Sequence, residues 1–313
     1  MKALVLLAGV LLVYGLLGLA IGWRGVGGEL AALPAWLWLL AAGVALAGHG
    51  LLFARWQLLL IGLGHPLGAR ASGAIYIAGL GLIAAPARSG EALRGLWLQR
   101  RHGIPLRIGV AATAAERLLD LASALLVLAW GLGLMHQRVA LLAVLAAVAA
   151  LAWLLSHPRA LRQLEHAIGH LPMTRPWRGL RRVLWEGLQA LGELRSLLQP
   201  LPLLWGLGLT TAVWLLESRL LQLVFVQLQA AVSLEQAGVM RTATSLGGVL
   251  SLLPAGLGTS ELTSMGLAVF YGASRSQALT ATVVLRAATL LLPALIGVIA
   301  LVLQPDLQRL RRH

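Results

Sequence analysis

Apolar runs long enough to cross a membrane recur along the whole chain, and they constrain its fold more than any other feature. A spanning α-helix needs about 20 predominantly apolar residues. Hydrophobic residues make up 59% of the 313 residues and charged residues 12%, whereas a soluble globular domain carries about 25% charged residues. The mean hydropathy is +0.84. We therefore expect an all-α integral membrane protein formed by a single transmembrane domain, 1–313, without a soluble catalytic domain.

The order of apolar and basic segments predicts the topology. Six spanning helices are expected at about 3–21, 34–63, 106–134, 139–155, 201–228 and 276–303, with a short loop carrying Arg24 and Glu29 after the first. Basic residues mark cytoplasmic loops, which places both termini in the cytoplasm. The stretch 157–200 has seven arginines and apolar residues at helical spacing. It is predicted to be a basic amphipathic helix on the cytoplasmic membrane surface.

Two further apolar segments are interrupted by helix-breaking residues. The first, 72–101, breaks at Pro86 to Gly90, and the second, 233–271, breaks at Pro254 to Gly258. Both ends of the first segment are flanked by arginines, so both ends are expected on the cytoplasmic side. Each segment is therefore predicted to be a re-entrant hairpin of two half-helices. Broken backbone is tolerated at membrane depth only where protein or a cavity covers it.

The two hairpins belong to an internal repeat, about 34–134 and 201–303. Gly103 precedes Arg117 by fourteen residues, and Gly272 precedes Arg286 by the same number. Upstream of the hairpins, residues 51–55 match residues 215–219. The predicted topology brings the first hairpin in from the cytoplasm and the second from outside. The repeats would then be inverted, as in many secondary transporters.

Ionisable side chains inside these apolar segments predict a functional site. A charge at the bilayer centre costs roughly 2.5–3.5 kcal/mol on insertion scales, so such residues usually face a protein interior or a water-filled cavity. The candidate site residues are Arg88, Glu91, Arg94, Glu116, Arg117, Asp120, Arg241, Glu261 and Arg286. The candidate hairpin hinges are Pro86, Gly90, Pro254, Gly256 and Gly258. His49 is interpreted as a helix-packing residue.

Arginine suits the binding of a lipid phosphate because its planar fork holds oxygens in pairs and stays charged when desolvated. The carboxylates, among them Glu217, either pair with arginine until a phosphate competes or take up protons, since burial raises a carboxylate pKa. The alternative interpretation is structural: the pairs Glu116–Arg117, Glu91–Arg94 and Glu261–Arg286 would only hold the hairpins. Glu217 and Arg219, two residues apart on a helix, do not face each other.

At these residues the chain resembles a known family, the lysylphosphatidylglycerol synthase transmembrane-region family of flippase-like proteins. The family's P-G-R-x-G-E is similar to Pro86-Ala87-Arg88-Ser89-Gly90-Glu91, its E-R-x-x-D to Glu116, Arg117 and Asp120, and its P-G-G-x-G-x-x-E to the run from Pro254 to Glu261. Its late intramembrane arginine is similar to Arg286. Ala87 and Ala255 each replace a usual glycine. The resemblance implies lipid translocation or related lipid handling, and it does not imply lysylphosphatidylglycerol synthesis.

Three functions remain open at this point. The first is a flippase-like transporter of an anionic or phosphate-bearing lipid, the second a membrane-embedded enzyme acting on lipid phosphates, and the third a non-transporting partner of a lipid-modifying enzyme. The transporter is favoured, because the chain combines predicted inverted repeats and a charged midplane site with the absence of a Walker loop, H-E-x-x-H or G-x-S-x-G motif. No metal or cofactor is expected, and the net charge of +14 is attributed to cytoplasmic loops rather than to nucleic-acid binding.

The expected partners are membrane lipids of the anionic phospholipid or polyprenyl-phosphate type, together with a lipid-modifying enzyme and a second copy of the chain. The arginine-rich composition is typical of a GC-rich bacterial genome. We therefore expect the bacterial cytoplasmic (inner) membrane.

Overall fold

The computed structural model describes residues 23–82, 93–134, 200–251, 253–304 and a few single helical residues between 139 and 197, and these residues form helices joined by short turns. The predicted all-α class is confirmed. The α-helices are α1 (Trp23–Ala32), α2 (Ala35–Gly62), α3 (Ala69–Leu80), α4 (Leu93–His102), α5 (Leu106–Leu134), α6 (Pro200–Gln227), α7 (Leu234–Leu250), α8 (Thr259–Phe270), α9 (Arg275–Arg286) and α10 (Leu292–Leu303). A π-helix, Ala287–Leu291, joins α9 to α10.

Three long segments in the described ranges are apolar enough to span a membrane. They are Ala35–Gly62, Leu201–Gln227 and Arg275–Leu303, and they coincide with three of the predicted spanning helices. α5 also has its predicted extent, although it carries several charges. A multi-pass membrane protein is thereby confirmed. The predicted first helix, most of the fourth and most of the stretch 157–200 lie outside the described residues.

In the described residues, each interrupted segment has two short helices, α3 and α4 in the first and α7 and α8 in the second. A glycine with positive φ ends the second helix of each pair, Gly103 at 66° and Gly272 at 95°. Left-handed backbone costs an L-residue roughly 1–2 kcal/mol, so glycine is favoured there. The two glycines are the matched landmarks of the internal repeat. The described helices of both halves therefore have the order long, short, short, long, while the inversion of the halves stays a prediction.

The region around Arg24 and Glu29 was predicted to be a loop, and that prediction is wrong. It forms α1, whose Val26 is buried. The Glu29 carboxylate accepts hydrogen bonds from Ser276 Oγ at 2.5 Å and from Thr280 Oγ1 at 2.8 Å. α1 is thus held against α9 by polar contacts between residues about 250 positions apart, which local sequence does not reveal.

Two hydrophobic cores share α2. One core, with Trp56, Ile75 and Leu98, joins α2 to α3, α4 and α5. The other, with Leu37 and Phe225, joins α2 to α6, α7 and α9. α6 also packs against α5 and α7. The two halves of the chain therefore meet around α2, α5 and α6, and the charged side chains lie there.

Candidate functional site

Arg55 connects three helices at the junction of the two halves. Its side chain is 2% exposed, and it is the one charged residue of α2. Its Nη1 donates to Asp120 Oδ1 of α5 at 2.6 Å and to Thr210 Oγ1 of α6 at 2.8 Å. Its Nη2 lies 3.6 Å from Glu116 Oε1. Burying a guanidinium is costly unless it is paired and hydrogen-bonded, and these contacts supply both conditions.

Arg94 of α4 binds the other side of Glu116. Its Nη2 forms an ion pair with Glu116 Oε2, and its Nη1 donates to Oε1 at 3.4 Å. The guanidinium also lies 4.5 Å from the ring centroid of Trp56 and 5.6 Å from that of Tyr76. A cation over an aromatic face is stabilised by roughly 2 kcal/mol when desolvated. Gly79 makes room for it, since a Cβ there would lie 2.7 Å from Arg94 Cδ.

Arg117 extends this cluster toward the surface. Its Nη1 lies 3.1 Å from Asp120 Oδ2, and its side chain is about one-third exposed. Asp120 is therefore shared between Arg55 and Arg117, as Glu116 is shared between Arg55 and Arg94. The result is a continuous network of three arginines and two carboxylates. Its members come from α2, α4 and α5.

The second half of the chain supplies a separate ion pair. Arg241 of α7 donates to Glu217 Oε2 of α6 from Nε at 2.7 Å, and its Nη2 lies 2.6 Å from the same oxygen. The Arg241 guanidinium lies 4.5 Å from the Trp214 ring centroid. Each half therefore presents a guanidinium that is bound to a carboxylate and stacked on a tryptophan.

A cavity of about 580 Å³ lies between the network and the second pair. Its charged walls come from α2, α4, α5, α6 and α7, and they comprise Arg55, Arg94, Glu116, Arg117, Asp120, Glu217 and Arg241. Apolar walls surround these groups, among them Leu52, Leu118 and Val213. Small-molecule sites typically have volumes of about 300–1,000 Å³, apolar walls and a few converging polar groups. This cavity is the candidate functional site.

Glu261 and Arg286 form a third ion pair, which does not line that cavity. Arg286 Nε donates to Glu261 Oε1 at 2.8 Å, and Arg286 Nη2 donates to the carbonyl oxygen of Ala255 at 2.7 Å. The π-helix begins directly after Arg286, and its Ala288 and Thr289 do line the cavity. Such π-helical turns are frequent at functional sites.

The structure brings together most of the predicted site residues that it describes. Arg94, Glu116, Arg117, Asp120 and Arg241 line one cavity, while Glu261 and Arg286 pair nearby. The hinge residues Pro254, Gly256 and Gly258 lie in the turn before α8. Arg88 and Glu91, with the hinges Pro86 and Gly90, lie outside the described residues.

The structural alternative paired Arg117 with Glu116, whereas Arg117 forms an ion pair with Asp120, three residues away on the same helix face. It also paired Arg94 with Glu91, which lies outside the described residues. Arg94 forms an ion pair with Glu116. Neighbours in sequence point to different sides of a helix, so Glu116 and Arg117 cannot face each other.

Sequence reasoning missed several residues of the site. Arg55 and Thr210 were not proposed, and His49, assigned to packing, lines the cavity together with Tyr76. The signal for Arg55 was present, because an arginine within a 28-residue apolar helix meets the same criterion as the predicted residues. Thr210 had no such signal. In the described ranges, no three His, Asp or Glu side chains are grouped so as to hold a metal ion.

Comparison with known families agrees with the motifs. The family model described as lysylphosphatidylglycerol synthase TM region matches residues 6–297. The chain belongs to this family. No curated protein matches the chain. Membership in the lysylphosphatidylglycerol synthase TM region family connects this membrane protein with lipid biology, and the match extends over both halves that form the cavity.

Proposed function

We propose that the protein is a flippase-like transporter, which moves an anionic or phosphate-bearing lipid across the membrane through the charged cavity. The observation that carries the proposal is the cavity itself, in which four arginines and three carboxylates converge between membrane-embedded helices. Intramembrane ionisable residues mark substrate or ion pathways by default. No catalytic role and no cofactor are assigned to these residues.

The ion pairs suggest how a phosphate could enter. Each arginine of the cavity forms an ion pair with a carboxylate, so no guanidinium of the cavity lacks a counter-charge. A phosphate oxygen can take the place of a carboxylate oxygen, because arginine binds both with the same planar fork. Arg55 Nε is buried and has no hydrogen-bond partner among the described residues. That donor is left over for a ligand.

The two-fold origin of the cavity supports transport. Arg55, Arg94, Glu116 and Asp120 come from the first half, whereas Glu217 and Arg241 come from the second. In transporters built from inverted repeats, the substrate site lies at the repeat interface, and one repeat rocks against the other. Re-entrant hairpins that enter from opposite sides would provide this movement here. The proposal includes the bacterial inner membrane and cytoplasmic termini.

Lipid translocation in proteoliposomes tests the proposal. Fluorescent phospholipids with different headgroups would be followed with a membrane-impermeant quencher, with and without a pH gradient. We expect protein-dependent flipping that is lost in Arg241→Gln. The matched control is Arg219→Gln, because Arg219 is exposed on α6 and hydrogen-bonds Gln222 on the same helix. Size-exclusion chromatography would check folding.

The charge-balanced double variant Arg241→Gln/Glu217→Gln separates function from structure. If the pair only held α6 and α7 together, removing both charges would restore activity, because no unpaired buried charge remains. If Arg241 binds the lipid phosphate, the double variant stays inactive although it folds. Wild-type protein that flips no headgroup in either condition would contradict the transport proposal and favour the partner of a lipid-modifying enzyme.

A further inference from the structure

A second cavity lies beside the charged one, and its walls are apolar. It has a volume of about 510 Å³ and runs between α2, α3 and the start of α10. Phe53, Ile77 and Ile296 contribute large apolar side chains, and Gly50 and Gly73 keep the space open. Arg70, in the first turn of α3, is its one charged wall residue among those described. We refer to this cavity as the apolar groove.

The apolar groove and the charged cavity share a wall. Ala45, His49, Tyr76 and Leu80 line both. His49 Nδ1 and the Tyr76 hydroxyl are 3.5 Å apart. The Tyr76 ring has its centroid 5.5 Å from that of Phe53, which lines the groove, and 5.6 Å from the Arg94 guanidinium, which lines the charged cavity. Tyr76 therefore stands at the boundary between a charged and an apolar compartment.

We propose that the apolar groove binds an acyl chain of the same lipid whose phosphate occupies the charged cavity, an inference that rests on the proposed function. Two adjoining compartments, one charged and one apolar, match one molecule with a phosphate at one end and hydrocarbon at the other. His49 and Tyr76 lie where the ester and glycerol oxygens of such a lipid would be. Side chains with an apolar body and a polar tip suit that position. The substrate class is then a phosphate-bearing lipid with acyl chains.

Photo-crosslinking tests the occupant directly. The full chain would be reconstituted into phosphatidylcholine vesicles that contain phosphatidylglycerol with a diazirine at the end of one acyl chain. After irradiation, mass spectrometry would identify the labelled peptides. We expect labels on the groove walls around Phe53, Ile77 and Ile296. A diacylglycerol with the same diazirine chain, which has no phosphate, should label these walls less, because it lacks the group that the arginines hold.

A filled groove provides the matched variants. A Cβ at Gly50 would meet nothing within 4 Å, so Gly50→Trp places an indole in the open groove. Gly43 lies seven residues earlier on α2, is equally open and does not line the groove. We expect Gly50→Trp to lose the groove labels and Gly43→Trp to keep them. Gly50→Leu would replace the tryptophan variant where that variant does not fold.

The outcomes separate this inference from the proposed function. Groove labels that persist in Gly50→Trp, or that do not depend on the phosphate, would overturn the acyl-chain site while leaving transport intact. Crosslinks from the groove to a second copy of the chain would overturn it as well. Groove labels without any flipping in the same vesicles would retain the lipid site and contradict transport. Labels lost together with flipping in Gly50→Trp alone would support both.

Discussion

Glu261 joins Arg286 of α9 to the turn that precedes α8. Its Oε1 accepts from Arg286 Nε at 2.8 Å, and its Oε2 accepts from the backbone N–H of Gly258 at 2.7 Å. Arg286 in turn donates to the carbonyl oxygen of Ala255 at 2.7 Å. The carboxylate is fully buried. A single ion pair thus holds the turn at the second helix break against α8 and α9.

Replacement of Glu261 with glutamine should therefore destabilise the protein strongly. Glutamine has one oxygen, which can accept from Gly258 or from Arg286. Its NH₂ group is a donor, so it cannot accept the other hydrogen bond. Removing one partner of a buried ion pair typically costs roughly 3–5 kcal/mol. Unfolding in detergent micelles would measure the loss. Glu235→Gln is the control. This carboxylate in the first turn of α7 forms no ion pair with the described residues, so its replacement should change stability by less than about 1 kcal/mol.

Arg94→Lys should reduce both stability and lipid translocation, although it keeps the charge. Lysine cannot hold both oxygens of Glu116, and its compact ammonium does not stack on Trp56 as a planar guanidinium does. We expect a loss of about 1–3 kcal/mol, comparable to a hydrogen bond made by a charged group. Unfolding and flipping assays would be run side by side. Unchanged stability and unchanged flipping would contradict the importance of the bidentate contact.

Helix extents and charged positions could be predicted from the sequence, because apolar run length and breaking residues are local signals. α2, α5 and the break before α8 followed from them. The partners of the charges could not be predicted, since partners depend on how helices pack. Glu116 binds arginines from α2 and α4 that lie 61 and 22 residues earlier in the chain.

The internal repeat shows the same limit. Gly103 and Gly272 are equivalent in structure, because backbone conformation at a helix end depends on local residues. Arg55 and Arg219 were aligned in the repeat, yet Arg55 is buried in the site whereas Arg219 is exposed. The neighbouring helices, which decide burial, differ between the halves. Identical residues at aligned positions of the two repeats therefore predicted the turns better than they predicted the roles of side chains.

Ala255→Gly should leave the second helix break intact and slightly increase stability. Ala255 has φ of 55°, in the left-handed region, and the family motif usually has glycine there. Relief of left-handed strain, roughly 1–2 kcal/mol, exceeds the entropic cost of glycine, about 0.4–1 kcal/mol. Gly256→Ala should act in the opposite direction, because φ is 64° and a Cβ would lie 2.6 Å from Gly248 Cα. Thermal unfolding of both variants would check the opposite signs.

Gly297→Ala should weaken the packing of α10 against α3. A Cβ at Gly297 would lie 1.9 Å from the backbone nitrogen of Gly81, so the helices must separate. Overpacking of this kind typically costs about 1–3 kcal/mol. Gly266→Ala is the matched control, because a Cβ there meets nothing within 4 Å. That variant should be neutral or more stable by up to roughly 1 kcal/mol, since alanine favours the helix. Equal effects of the two substitutions would contradict the close approach.

The inverted topology can be tested with single cysteines, because the chain has none of its own. Gln99 of α4 and Arg275 of α9 are exposed. They lie close to Gly103 and Gly272, where the two predicted hairpins end. Hairpins that enter from opposite sides place Gln99 in the cytoplasm and Arg275 outside. A membrane-impermeant maleimide should therefore label Arg275→Cys in intact spheroplasts, and Gln99→Cys only after permeabilisation. Labelling of both positions from the same side would contradict the inverted arrangement and, with it, the rocking of one repeat against the other.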